Sequence, residues 1–238
     1  MATFLLVHGA WHGAWCWDRL TPLLRERGHK VAAFDLPCHG QDRGGWWRAS
    51  MGRYVARIRI VAEQLGEPPI LVGHSMGGME ITRAAAEAPS LYRALHYLCA
   101  FVPLAGDSLI RLARLDEESL VPRHTTIRPW GVHFHGDGVA ETFAAGCDEE
   151  TRRSAAERLR REPLLPMLQR HPAGDPPALP RAYIACTRDR AISIERQRAM
   201  AERAGIERMA TLDTDHSPFL SAPEALAEAL DRLAREEG

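Results

Sequence analysis

The sequence predicts an α/β protein with a mostly parallel sheet flanked by helices, and three observations support this fold class. Short apolar, partly β-branched runs such as 3–7 and 69–72 are typical of strands buried on both faces. Segments with helical periodicity, such as 78–86 and 193–204, follow such runs. The regular alternation of the two patterns predicts parallel strands joined by helical crossovers.

Taken in order, the elements divide into six strands and at least five helices. The predicted strands are 3–7, 30–34, 69–72, 95–99, 181–186 and 208–212, all rich in apolar residues. The predicted helices place leucines, isoleucines and valines on one face. They are a helix through Leu20 and Leu24 that ends at Gly28, a helix within 46–66, and the helices 78–86, 193–204 and 224–236.

The alternation of strands and helices breaks down between residues 103 and 180. Prolines cluster in this stretch together with charged helical segments such as 148–161. We therefore expect an α/β core formed by residues 1–102 and 181–238, with residues 103–180 inserted as a mainly helical cap.

Composition excludes several classes of partner. With 238 residues, 45% hydrophobic residues and a net charge of −1, the chain resembles an ordinary globular domain. Neither nucleic acid nor a membrane is an expected partner, because the chain has no basic excess and no apolar run of about 20 residues. The five scattered cysteines and the early first strand predict free thiols and a cytoplasmic location.

The sequence Gly-His-Ser-Met-Gly at 73–77 is the most informative motif. It lies between a predicted strand and a predicted helix, which is the arrangement of a nucleophile elbow. The glycines on both sides of Ser75 are needed because side chains there would collide across the tight turn. Ser75 is therefore the candidate nucleophile, and the helix that follows favours developing negative charge.

A serine nucleophile needs a base, and four of the eleven histidines are candidates: His8, His39, His74 and His216. His216 is favoured because it lies between a late strand and the last helix, at the carboxyl edge of the sheet.

Asp189 follows the preceding strand and is the predicted acid, because the chain order Ser, Asp, His is that of elbow enzymes. Asp213 and Asp215 are so close to His216 in sequence that we expect them to shape its turn instead.

The predicted oxyanion hole consists of the backbone N–H groups of Met76, after the nucleophile, and Ala10, in the loop after the first strand.

Four residues are predicted to line a substrate pocket: Trp11, His12, Trp130 and His133. Packing of the cap on the core is the alternative role for the cap tryptophan. The His-x-His-x-Asp pattern at 133–137 resembles a two-metal site but lacks further ligands, so no metal or cofactor is expected.

These motifs together resemble the plant methylesterase and hydroxynitrile lyase branch of the α/β-hydrolases. The resemblance rests on the tandem His-Gly-Ala-Trp at 8–15, the elbow at 73–78 and the Asp-His pair at 215–216. It implies an α/β-hydrolase fold with a six-stranded core, a Ser75–His216–Asp189 triad and a pocket under the cap for a small, often aromatic, substrate.

Two departures from the lyase members favour ester hydrolysis. The lyase members of the family that this chain resembles need a threonine where it has Ala10. They also need a lysine directly after the histidine, where this chain has Ser217. The expected function is therefore hydrolysis of a small-molecule carboxylic ester through an acyl-enzyme. Two alternatives stay open: acyl transfer or cyclisation by the same triad, and a non-catalytic ligand receptor. Whether the chain forms a homodimer is also left open.

Overall fold

The computed structural model describes residues 1–172 and 178–237, and its centre is a six-stranded parallel sheet in the order β2-β1-β3-β4-β7-β8. The α/β fold with a parallel sheet of six strands is thereby confirmed. The strands are β1 (Thr3–Val7), β2 (Lys30–Ala33), β3 (Ile70–His74), β4 (Ala94–Leu98), β7 (Arg181–Cys186) and β8 (Arg208–Leu212). A separate antiparallel pair is formed by β5 (Thr125–Arg128) and β6 (Gly131–Phe134).

Helices cover the sheet and fill the segment between β4 and β7. Their apolar faces pack on strands whose side chains in β1, β3 and β4 are buried throughout. The helices are α1 (Leu20–Glu26), α2 (Met51–Gln64), α3 (Gly77–Glu87), α4 (Leu109–Ala113), α5 (Val139–Thr142), α6 (Glu149–Arg158), α7 (Leu164–Leu168), α8 (Ile194–Arg203), α9 (Pro218–Ser221) and α10 (Pro223–Arg235).

The parallel sheet determines where functional side chains can meet. Because all six strands run in one direction, the loops after β1, β3, β7 and β8 leave the same edge of the sheet. These four loops carry the residues that the sequence predicts for catalysis. The edge strands β2 and β8 are partly exposed, so the most buried part of the sheet lies under the elbow.

The described residues between β4 and β7 form four short α-helices and the β5–β6 hairpin. The sequence predicts a mainly helical insertion here and gives no sign of the hairpin, since each of its strands has only four residues and one is largely exposed. Its position depends on a tertiary contact, a backbone bridge between Val132 and Glu162. Residues 173–177 of the predicted cap lie outside the described residues. Among those described, no helix is long and apolar enough to cross a membrane.

Candidate active site

Ser75 lies in a strained turn between β3 and α3. Its φ angle is 53°, in the left-handed region that serine seldom adopts. A side chain at Gly73 would place its Cβ only 2.6 Å from the carbonyl oxygen of Gly77, so the turn closes this tightly only with glycine. The tightness of the turn thus explains why the predicted elbow has glycine before Ser75.

His216 belongs to the loop between β8 and α9 and is 1% exposed. Its Nδ1 lies 2.7 Å from Oδ2 of Asp189, which follows β7. A carboxylate can only accept, so Nδ1 carries the proton and Nε2 of the neutral ring is free to take one. Ser75 and His216 line the same cavity, so the structure brings all three predicted triad residues together.

Four hydrogen-bond donors hold the buried carboxylate of Asp189. Its Oδ1 accepts from the backbone N–H groups of Ala191 and Ile192 at 2.7 and 2.9 Å. Its Oδ2 accepts from His216 and from Nε2 of Gln197, the latter at 3.2 Å. Burial raises the pKa of Asp189, and the neighbouring His216 and the two backbone N–H groups oppose that rise.

Gln197 is a supporting residue that the sequence does not reveal. This side chain of α8 is fully buried, and its Oε1 accepts from the backbone N–H of Cys186 at 3.0 Å. Its Nε2 also donates to the carbonyl of Ile192 at 2.8 Å. The amide therefore ties the Asp189 loop to the end of β7. A glutamine eight residues after Asp189 is part of no recognisable motif.

The histidine next to Ser75 contacts the loop that carries His216. His74 Nε2 donates to the backbone carbonyl of His216 at 2.9 Å, and the two rings are 4.6 Å apart. Burial lowers the pKa of His74 well below its usual value, and burial lowers the pKa of His12 to about 4. At neutral pH both rings are uncharged, so neither adds a positive charge beside His216.

The backbone N–H groups of Ala10 and Met76 have the properties that an oxyanion hole requires. Both residues line the cavity with Ser75, and within 1–172 and 178–237 neither N–H donates a hydrogen bond. The loop approaches the elbow so closely that a Cβ at Gly9 would lie 2.7 Å from Cβ of Ser75. Glycine is therefore required before Ala10 for the two predicted donors to share one cavity.

The cavity has a volume of 140 Å³ and is lined mainly by apolar side chains, with Ser75, Arg114, Ser119 and His216 as its polar residues. An engineered apolar cavity of about 150 Å³ in another protein accepts one benzene molecule, so this space suits a single ring. Side chains from the inserted segment form much of the wall: Leu109, Ile110, Val121, Pro122, Phe143 and Met167.

Of the four predicted pocket residues, only Trp11 lines this cavity. His12 is buried behind the loop, where its Nδ1 donates to the carbonyl of Ala10 at 2.8 Å. Trp130 and His133 lie on a different surface groove together with Arg161, whose Nε donates to Nε2 of His133 at 2.8 Å. The prediction that His12, Trp130 and His133 line the pocket is therefore wrong. The hairpin β5–β6 places residues 130 and 133 at the other groove, and His12 does not line the cavity.

The histidines of the His-x-His-x-Asp pattern at 133–137 have separate partners in the described part of the chain. Arg161 takes up Nε2 of His133, and Nε2 of His135 lies 2.8 Å from Oγ1 of Thr126. These contacts leave the histidines in separate pairs rather than in one ligand set.

Comparison with known proteins identifies the family. A model of the alpha/beta hydrolase family matches residues 4–229. The chain belongs to this family. Salicylic acid-binding protein 2 of Nicotiana tabacum is 31% identical over 250 residues, which cover 97% of this chain and 96% of the relative.

Solved structures of alpha/beta hydrolases agree with this assignment. A methylesterase from Arabidopsis has a TM-score of 0.85 at 27% identity and covers 99% of this chain and 100% of its own. A pyrethroid hydrolase from Sphingobium faniae has a TM-score of 0.85 at 25% identity, with coverages of 98% and 97%. The resemblance to the plant methylesterase branch is confirmed, and with it the prediction of a carboxylic-ester hydrolase.

Proposed function

We propose that this alpha/beta hydrolase cleaves its ester through an acyl-enzyme on Ser75. The observation that carries the proposal is that Ser75 and His216 line one apolar cavity while Asp189 fixes the ring of His216 at 2.7 Å. As Ser75 Oγ bonds to the carbonyl carbon, His216 Nε2 takes the hydroxyl proton. Asp189 holds the required tautomer and offsets the charge of the imidazolium.

The carbonyl oxygen becomes negative in this step, and the N–H groups of Ala10 and Met76 stabilise it. Such a donor contributes about 3 to 4 kcal/mol to lowering the barrier. When the tetrahedral intermediate collapses, the ester C–O bond breaks and His216 gives its proton to the departing alcohol. Water then adds to the acyl-enzyme with the same proton transfers, so that the carboxylic acid leaves and Ser75 regains its proton.

The substrate class follows from the walls of the cavity. Apolar side chains from 103–180 close it over Ser75, and we propose that this segment acts as a cap on the core formed by 1–102 and 181–238. A space of 140 Å³ suits a methyl ester whose acid has one ring or a short chain.

Hydrolysis in H₂¹⁸O tests the reaction and the acceptor together. With methyl benzoate as substrate, we expect benzoic acid with one ¹⁸O atom and unlabelled methanol, because water attacks the acyl carbon. Transfer to an added alcohol without labelled acid would instead establish an acyl transferase. If p-nitrophenyl acetate is cleaved but neither a single-ring nor a short-chain methyl ester is, the proposed substrate class is overturned.

Met167→Trp is expected to reduce the usable cavity. Met167 lines it from α7 and is 8% exposed, so an indole there occupies space that the ring of a substrate needs. We expect kcat/KM for methyl benzoate to fall about tenfold or more while that for methyl acetate changes less than about threefold. The matched control is Met209→Trp on β8, where the side chain is 40% exposed. Equal losses for both esters would contradict the assignment.

A further inference from the structure

A fully buried carboxylate from the inserted segment reaches the loop after β1. Glu162 lies between α6 and α7 and is 0% exposed. Its Oε2 accepts from the backbone N–H of Trp11 at 3.1 Å and from Nε2 of His39 at 2.7 Å. Its Oε1 accepts from the hydroxyl of Tyr54 at 3.4 Å. A carboxylate so far from solvent needs these partners, and one of them adjoins the oxyanion loop.

We infer that Glu162 is a positioning residue, which orients the oxyanion-binding N–H of Ala10 by fixing the next peptide of the loop at Trp11. The inference rests on the proposed function, because it assigns Glu162 a role in binding the oxyanion of that reaction. It does not place Glu162 in contact with the substrate.

Trp11 has a backbone conformation that needs external support. Its φ angle is 63°, in the left-handed region that a bulky residue avoids. Besides the bond to Glu162, its carbonyl accepts from Arg160 N–H at 2.7 Å and its Nε1 donates to the carbonyl of Val132 at 2.9 Å. All three partners belong to the inserted segment, so the loop geometry depends on that segment being in place.

Hydrogen bonds hold the peptide before Ala10 and the peptide after it. The Gly9 carbonyl accepts from His8 Nδ1 at 2.9 Å and from His12 N–H at 3.3 Å. Because a peptide is planar and trans, the N–H of Ala10 points away from these two donors. The following peptide accepts from His12 Nδ1 at its Ala10 carbonyl and donates to Glu162 at its N–H. Without Glu162 this second peptide loses one of its two anchors.

The buried carboxylate of Glu162 pairs with the ring of His39. His39 Nδ1 lies 3.1 Å from the carbonyl of Pro37, and Nε2 faces the carboxylate. Since both neighbours are acceptors, both ring nitrogens carry protons and His39 is an imidazolium. Burial opposes the charge of His39, but Glu162 raises the pKa of the ring overall. The same oxygen, Oε2, that faces the imidazolium also accepts the Trp11 N–H, and a carboxylate in an ion pair is a stronger acceptor than a neutral oxygen.

Thionoesters provide a readout that a merely structural role would not move. Sulfur accepts hydrogen bonds weakly, so an oxyanion hole accelerates cleavage of an ester far more than that of its thionoester. The ratio measured is kcat/KM for the ester divided by kcat/KM for its thionoester. For Glu162→Leu we expect this ratio to fall about tenfold or more, because kcat for the ester falls while its KM changes little. Glu162→Gln retains an oxygen acceptor and is expected to keep the ratio within about threefold of the wild type.

Asp107→Asn is the matched control, because Asp107 is another buried carboxylate of the inserted segment and pairs with Arg203 on α8. It is expected to lower thermal stability without changing the ratio. If Glu162→Leu does not fold, His39→Leu/Glu162→Leu removes both charges at once and must show the same loss of ratio.

Different results would overturn the acyl-enzyme on Ser75 and the positioning role of Glu162. If Ser75→Ala keeps the ester activity of the wild type, the proposed function is overturned and the role of Glu162 with it. If Ser75→Ala is inactive but a folded Glu162→Leu or double variant keeps the wild-type ratio, only the positioning role is overturned.

Discussion

Ser75→Ala is expected to lower kcat/KM for p-nitrophenyl acetate by about 10⁴-fold or more. The variant retains the cavity, the N–H groups of Ala10 and Met76 and the His216 base, so substrate still binds. It lacks the oxygen that forms the acyl-enzyme, and alanine cannot replace it. The remaining rate would come from water activated by His216 and from stabilisation of the oxyanion.

Steady-state hydrolysis beside the wild type measures this effect, and the melting temperature of both proteins shows whether the fold is kept. Ser193→Ala, at the start of α8, is a suitable control because Ser193 is a buried serine that does not line the cavity. A Ser75→Ala variant that retains even a tenth of the wild-type rate would contradict the nucleophile assignment.

Asp189→Asn is expected to lower kcat by about 10⁴-fold with little change in KM. The backbone N–H groups of Ala191 and Ile192 hold one side-chain oxygen, so the asparagine amide nitrogen must face His216 Nδ1. That nitrogen donates, and it favours the tautomer of His216 whose proton is on Nε2. The ring can then no longer accept the proton of Ser75.

Asp213→Asn provides the comparison, since Asp213 is close to His216 in sequence but is exposed and pairs with Arg188. We expect its kcat to stay within about twofold of the wild type. Similar losses in both variants would mean that Asp189 is not the orienting acid.

The sequence was most informative where backbone geometry permits few residue types. The elbow at 73–77 needs glycine on both sides of a strained serine, and the tight approach of Gly9 to Ser75 needs another. Buried parallel strands also leave a clear pattern, so β1, β3, β4 and β7 begin and end within a residue or two of their predicted bounds. From these elements the meeting of Ser75, Asp189 and His216 followed.

Tertiary contacts account for what the sequence did not show. The β5–β6 hairpin is short and half exposed, and its placement depends on the bridge between Val132 and Glu162. Gln197 and Glu162 act through partners distant in the chain, and no local pattern marks a buried polar side chain of this kind. The positions of Trp130 and His133 at a surface groove likewise depend on how the hairpin packs on the rest of the chain.

The most direct test of the account is covalent labelling with a p-nitrophenyl alkylphosphonate, followed by intact-mass analysis and peptide mapping. The reagent reacts as an ester does, but its adduct with the serine oxygen is stable, so no knowledge of the natural substrate is required. We predict one adduct per chain, located on Ser75, and none in Ser75→Ala. An adduct on another residue, or an unlabelled protein that still hydrolyses esters, would contradict the Ser75 acyl-enzyme.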